Sequence, residues 1–73
     1  MHDWEADLRP FAVCLKEWQV NVNGGREYGA RPVAAAELRT PEATYAGWVA
    51  GRPCRHEGAI RRLMTLIDRA SEK

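Results

Sequence analysis

"RTPEATYAGWVAGRPC", Arg39 to Cys54, is the stretch on which the fold turns. Thr40 has the side chain of a helix N-cap, Pro41 suits a first helical position, and Glu42 complements the positive end of the helix dipole. Gly51 ends the segment. Tyr45 and Trp48 stand three residues apart on one face, while Ala43, Ala46 and Gly47 leave the other face almost without side chains. A glycine inside a helix costs about 1 kcal/mol against alanine. Gly47 therefore points to a demand for space.

Upstream, "PVAAAEL" predicts a helix over 32–38, opened by Pro32 and favoured by three alanines, with only Arg39 and Thr40 before the helix over 41–50. Two short helices so joined have the outline of a helix-turn-helix. Before them, Leu8, Phe11, Leu15, Trp18 and Val22 recur at three- and four-residue steps and predict an amphipathic helix over 8–22. Asp7 is the expected cap, and Pro10 is tolerated in the first turn. The intervening "NVNGGREYGARP" reads as a loop over 23–31, because its glycines and Pro32 interrupt any regular period. Its Asn-Gly pair can also close a hairpin between 19–22 and 26–28, though those flanks are short and alternate weakly. Downstream, Ile60, Leu63, Met64 and Ile67 form the clearest helical stripe in the chain, over 56–69, with Arg61, Arg62, Thr65 and Arg69 outside it.

A chain of 73 residues holds one domain, and a domain of this size buries only about 60% of its unfolded surface, so its core must be compact. The formal charge is +1. Asp3, Glu5 and Asp7 make an acidic arm over 1–7, and residues 8–73 carry eleven cations against seven anions, a net of +4. No apolar run approaches the roughly 20 residues needed to span a bilayer, and "MHDWEAD" lacks the basic-then-apolar order of a signal peptide. The expectation is a cytoplasmic protein without membrane attachment. Cys14 and Cys54 are then two free thiols.

Other chemistry finds little support. Cys54 beside Arg55 and His56 has cations that favour thiolate, but neighbours in a turn rarely give a base oriented by a third group. Cys14, Cys54, His2 and His56 lack the paired-cysteine spacing of a zinc site. "NGGREYG" lacks the Lys-Ser/Thr ending of a phosphate loop, and Ser71 is the single serine. No enzyme activity, metal or cofactor is expected.

The chain resembles the small phage-repressor-like DNA-binding domains, the Cro/CI or XRE-like family, over about residues 15–67. The resemblance is carried by Ala35 and Leu38, by Tyr45 and Trp48 facing inward, by Gly51-Arg52, and by Glu57, Ile60 and Leu63 opening the next helix. It implies an all-α bundle of four or five helices, and a sequence-specific transcriptional regulator that binds double-stranded DNA as a homodimer. Thr40, Glu42, Ala43, Thr44 and Gly47 would face bases, and Arg26, Arg31, Arg39, Arg52 and Arg55 would meet phosphates.

Two departures stand out. Arg39 occupies a turn position where the family often has glycine, and Glu42, Ala43 and Gly47 offer few groups for base edges. The alternative is a helix-turn-helix scaffold used as a protein-binding module or inhibitor rather than a DNA reader, with the small-residue face and the acidic arm as its contact surface. Trp4, in that arm, either folds back over the core or docks on a second subunit.

Overall fold

The computed structural model describes residues 2–71; residues 1, 72 and 73, included in the single-domain reading, lie outside the described residues. The protein is all-helical, with α1 (Phe11–Val22), α2 (Ala30–Glu37), α3 (Glu42–Val49) and α4 (Glu57–Ser71). No strand occurs among the described residues, so the hairpin alternative for 19–28 is not formed. α1 is the central element: α2 and α3 pack on it and on each other, while α4 rests mainly on α1.

The first helix begins three residues later than its apolar spacing suggests. Asp7 does not cap it. Its carboxylate instead accepts the Arg9 backbone N–H at 2.9 Å and pairs with the Arg9 guanidinium at 2.7 Å, which folds 7–9 into a turn. Pro10 is the N-cap residue, and its carbonyl accepts from Val13 and Cys14, each at 3.1 Å. Leu8, expected in the stripe, is consequently fully exposed.

Three helices end in the same way. In α1 the N–H of Gly25 reaches Val20 O at 2.8 Å and that of Gly24 reaches Asn21 O at 3.3 Å, the paired bonds of a Schellman motif. Asn23 Nδ2 then donates to Arg26 O and Tyr28 O at 2.8 and 2.9 Å, which braces the loop that follows. In α3, Arg52 N and Gly51 N reach Gly47 O and Trp48 O at 2.9 and 3.0 Å. In α2, Thr40 N and Arg39 N reach Ala35 O and Ala36 O at 2.9 and 3.0 Å. The residue that must turn left-handed is Gly24 in α1 and Gly51 in α3, but in α2 it is Arg39, at φ 52°.

Thr40 is spent on that turn. Its Oγ1 donates to Leu38 O at 3.1 Å, so it does not cap α3; Pro41 is the N-cap residue, without a side-chain bond. α2 likewise starts at Ala30, two residues before the expected Pro32, which still falls in the first turn where its missing N–H is harmless.

The core joins Phe11, Cys14, Leu15 and Trp18 of α1 to Ala34, Ala35 and Leu38, to Tyr45, and to Met64. Tyr45 is fully buried, and its hydroxyl donates to Gln19 Oε1 at 2.9 Å. Trp48, expected as an equal anchor, is only half-buried; it packs on the core with its ring 6.0 Å from Phe11 and 6.4 Å from Tyr45.

α4 is turned relative to its hydrophobic stripe. Its buried residues are Arg61, Met64 and Thr65, whereas Ile60, Leu63 and Ile67 are half-buried. The acidic arm explains the rotation. Trp4 is 1% exposed, so the arm lies back on the protein's own core, and its backbone N–H donates to Thr65 Oγ1 at 3.0 Å. Arg61 donates to the carbonyls of Trp4, Asp7 and Arg9 at 3.0, 3.1 and 2.8 Å and to Glu57 Oε2 at 2.9 Å. A polar residue by type is thus the cross-link between arm and core.

Candidate nucleic-acid interface

The candidate surface is the outer face of α3. Tyr45, Trp48 and Val49 turn toward the core, so at 100° per residue the opposite side carries Ala43, Ala46, Gly47 and Ala50. Ala43 and Ala50 are exposed and Ala46 and Gly47 half-buried. Glu42 and Thr44 flank this strip and are exposed, whereas Thr40 is half-buried with its hydroxyl already engaged.

Of the five candidate arginines, one lies directly against this face and a second at its flank. At its amino end, Arg31 of α2 places Nε 3.6 Å from Glu42 Oε1, so a residue expected to meet bases and one expected to meet phosphate form an exposed ion pair. Both side chains are more than half exposed, which makes the pair weak in energy; its consequence is local charge compensation.

At the other end, Arg52 folds back over Gly47. A Cβ built on Gly47 would lie 3.2 Å from Arg52 Cδ and 3.9 Å from its Cγ and Nε. The backbone enforces the approach, since Arg52 N is the donor to Gly47 O that closes the helix. The glycine therefore has a local cause: its bare Cα seats the aliphatic stem of an arginine arriving from the next loop. Arg52 itself remains exposed, and its guanidinium makes no hydrogen bond or ion pair among the described residues.

Arg39 is exposed in the turn, and Arg26 and Arg55 are exposed in the α1–α2 and α3–α4 loops. None of the three side chains is ion-paired among the described residues. Arg61 is the functional-looking cation that the sequence pattern misplaces, because its guanidinium is committed to the interior, with Phe11 5.5 Å below it and Cys14 Sγ 3.2 Å away. Burial works against its charge, and the hydrogen bonds to Glu57 and Cys14 outweigh that, so it stays protonated.

The remaining sequence candidates do not assemble. Cys14 is buried beneath Arg61 and Cys54 is half-buried against the core, both as free thiols. Among the described residues no cluster of three His, Cys, Asp or Glu side chains could hold a metal ion, and no helix is long and apolar enough to cross a membrane. The acidic arm is partly occupied: Trp4 is in the core and Asp7 pairs with Arg9 and with His2 Nε2 at 2.6 Å, while Asp3 and Glu5 are exposed. Comparison with known protein families, with characterised proteins and with solved structures finds no match to this chain.

Proposed function

We infer that this protein is a small helix-turn-helix DNA-binding regulator, acting in the cytoplasm and resembling the phage-repressor-like domains, in which α3 enters the major groove of double-stranded DNA. The observation that carries the reading is the exposed guanidinium of Arg52, unpaired among the described residues, over Gly47 on the outer face of α3, with the compensated Arg31–Glu42 pair at its flank. A helix with a flat, small-residue face can approach the groove closely, and arginines around it neutralise phosphates and fix its register. The turn agrees: four residues, Leu38 to Pro41, separate α2 from α3, with a left-handed residue at their centre. Binding as a homodimer on paired half-sites follows from the resemblance.

A protein-binding role for the same face has less to stand on. Of its two contact surfaces, the small-residue face and the acidic arm, the arm has Trp4 buried in the core, while Asp3 and Glu5 remain exposed.

Selection of bound duplexes from a random pool, at two salt concentrations, tests the reading. Enrichment of a motif is expected, with a log-log salt slope near roughly −0.9 per phosphate neutralised. Arg39→Ala should reduce the slope by about one such contact without changing the motif. Failure to retain any duplex at low salt would overturn the proposal and favour the protein-binding role.

A further inference from the structure

We propose that Arg52 is the base-reading side chain of the α3 face and that it selects guanine; this rests on the DNA-binding reading above. A residue that reads a base must be held in place, must reach the groove, and must have its donors unspent. Arg52 is anchored, lies on the α3 face and has its donors unspent. Its backbone is locked by the bond to Gly47 O at 2.9 Å, and its stem lies on Gly47 with Cδ 3.2 Å from where a Cβ would be. Its guanidinium has no partner among the described residues and is exposed.

The face it joins offers few other readers, with the exposed Thr44 hydroxyl at its flank. Ala43, Ala46, Gly47 and Ala50 have no hydrogen-bonding side-chain groups, and Glu42 is engaged by Arg31. Supplying the groove-facing donor from the following loop resolves the puzzle of a recognition helix without recognition side chains. The guanidinium fork matches the O6 and N7 acceptors of guanine in the major groove, a geometry that lysine cannot reproduce. The backbone bond to Gly47 O fixes where the side chain leaves the chain, which limits the freedom lost when the fork docks.

The experiment compares the parent, Arg52→Ala, Arg52→Lys and Gly47→Ala by selection from a random duplex pool, with melting of each variant as a control for folding. The parent should enrich a motif with a fixed guanine. Arg52→Ala and Arg52→Lys should keep the parent's melting temperature and still bind DNA at low salt, yet lose discrimination at that guanine by roughly ten- to a hundredfold. Gly47→Ala should fold at least as well, because the crowded atom belongs to a flexible side chain, and should weaken the same preference by displacing Arg52. If Arg52→Ala keeps the parent's motif and only flattens the salt slope, Arg52 is a phosphate contact; the inference is overturned while DNA binding stands. If the parent retains no duplex, both readings fall together.

Discussion

The indole nitrogens of Trp4 and Trp18 donate to the two oxygens of one carboxylate, Asp68, at 2.7 and 2.9 Å. One acceptor thereby ties the arm, the central helix and α4 into one unit. Each indole brings a large apolar surface inside, and each has a single N–H that burial would otherwise leave without a partner.

Asp68→Ala should therefore destabilise the protein by about 2 to 4 kcal/mol, since two buried donors lose their acceptor at once. Asp68→Asn, which keeps one carbonyl oxygen, should fall between parent and alanine. Denaturant unfolding followed by tryptophan fluorescence measures the series. An unchanged midpoint for the alanine variant would contradict the shared-acceptor arrangement.

Arg61 predicts a second effect with its own readout. Arg61→Met preserves much of the stem but removes the donors to Trp4, Asp7 and Arg9, and should cost about 2 to 4 kcal/mol. It should also loosen the arm over Cys14, which is buried in the parent. Native-state labelling by a thiol reagent should then be fast at Cys14 in the variant and slow in the parent, with Cys54→Ala as the background.

Arg39 is the residue the turn would exchange. Its backbone is left-handed where α1 and α3 use Gly24 and Gly51 for the same task. A side chain there costs about 1 to 2 kcal/mol, part of which glycine returns through the greater freedom of the unfolded chain. Arg39→Gly should raise stability by about 0.5 to 1 kcal/mol and, if Arg39 meets a phosphate, lower DNA affinity. Thermal unfolding and salt-dependent binding separate the two consequences.

Stability should fall toward both extremes of pH. Hydrogen bonds from the Arg9 side chain and backbone hold the Asp7 carboxyl well below the usual carboxylate range. Its contribution is present above the ordinary carboxylate value and is lost as pH falls below about 4, so Asp7→Asn should reduce the acid sensitivity. Burial pushes the Tyr45 hydroxyl above the usual phenol range. Its contribution is complete below about pH 10 and disappears as pH rises further, because the unfolded chain releases that proton first. Phenolate absorbance in a Tyr28→Phe background follows Tyr45 alone, and titration without delay past pH 10 would refute its burial.

What could be read from the chain was what local chemistry determines. Pro10, Pro32, Pro41, Gly24, Gly29 and Gly51 punctuate the backbone by their own φ preferences, so the order of four helices and their boundaries within a few residues were legible. Spacing put Tyr45 and Trp48 on one face, and the family resemblance turned that face inward. The rest depended on which surfaces meet. Helical period ranks Arg61 with the solvent face and Ile60 with the core, and this reverses because the arm's carbonyls at Trp4, Asp7 and Arg9 converge on one guanidinium. Asp7 and Thr40 have the side chains of caps, but nearer partners, Arg9 and Leu38 O, take them first. Gly47 marked a need for space without naming the occupant, because Arg52 reaches it only after the Schellman turn has folded the chain back over α3. Sequence by itself determined the helices, since each is set by residues within one turn of one another; the tertiary structure alone decided which polar groups lie inside and which arginine lies on α3, since those pairings join residues that only the packed chain brings together.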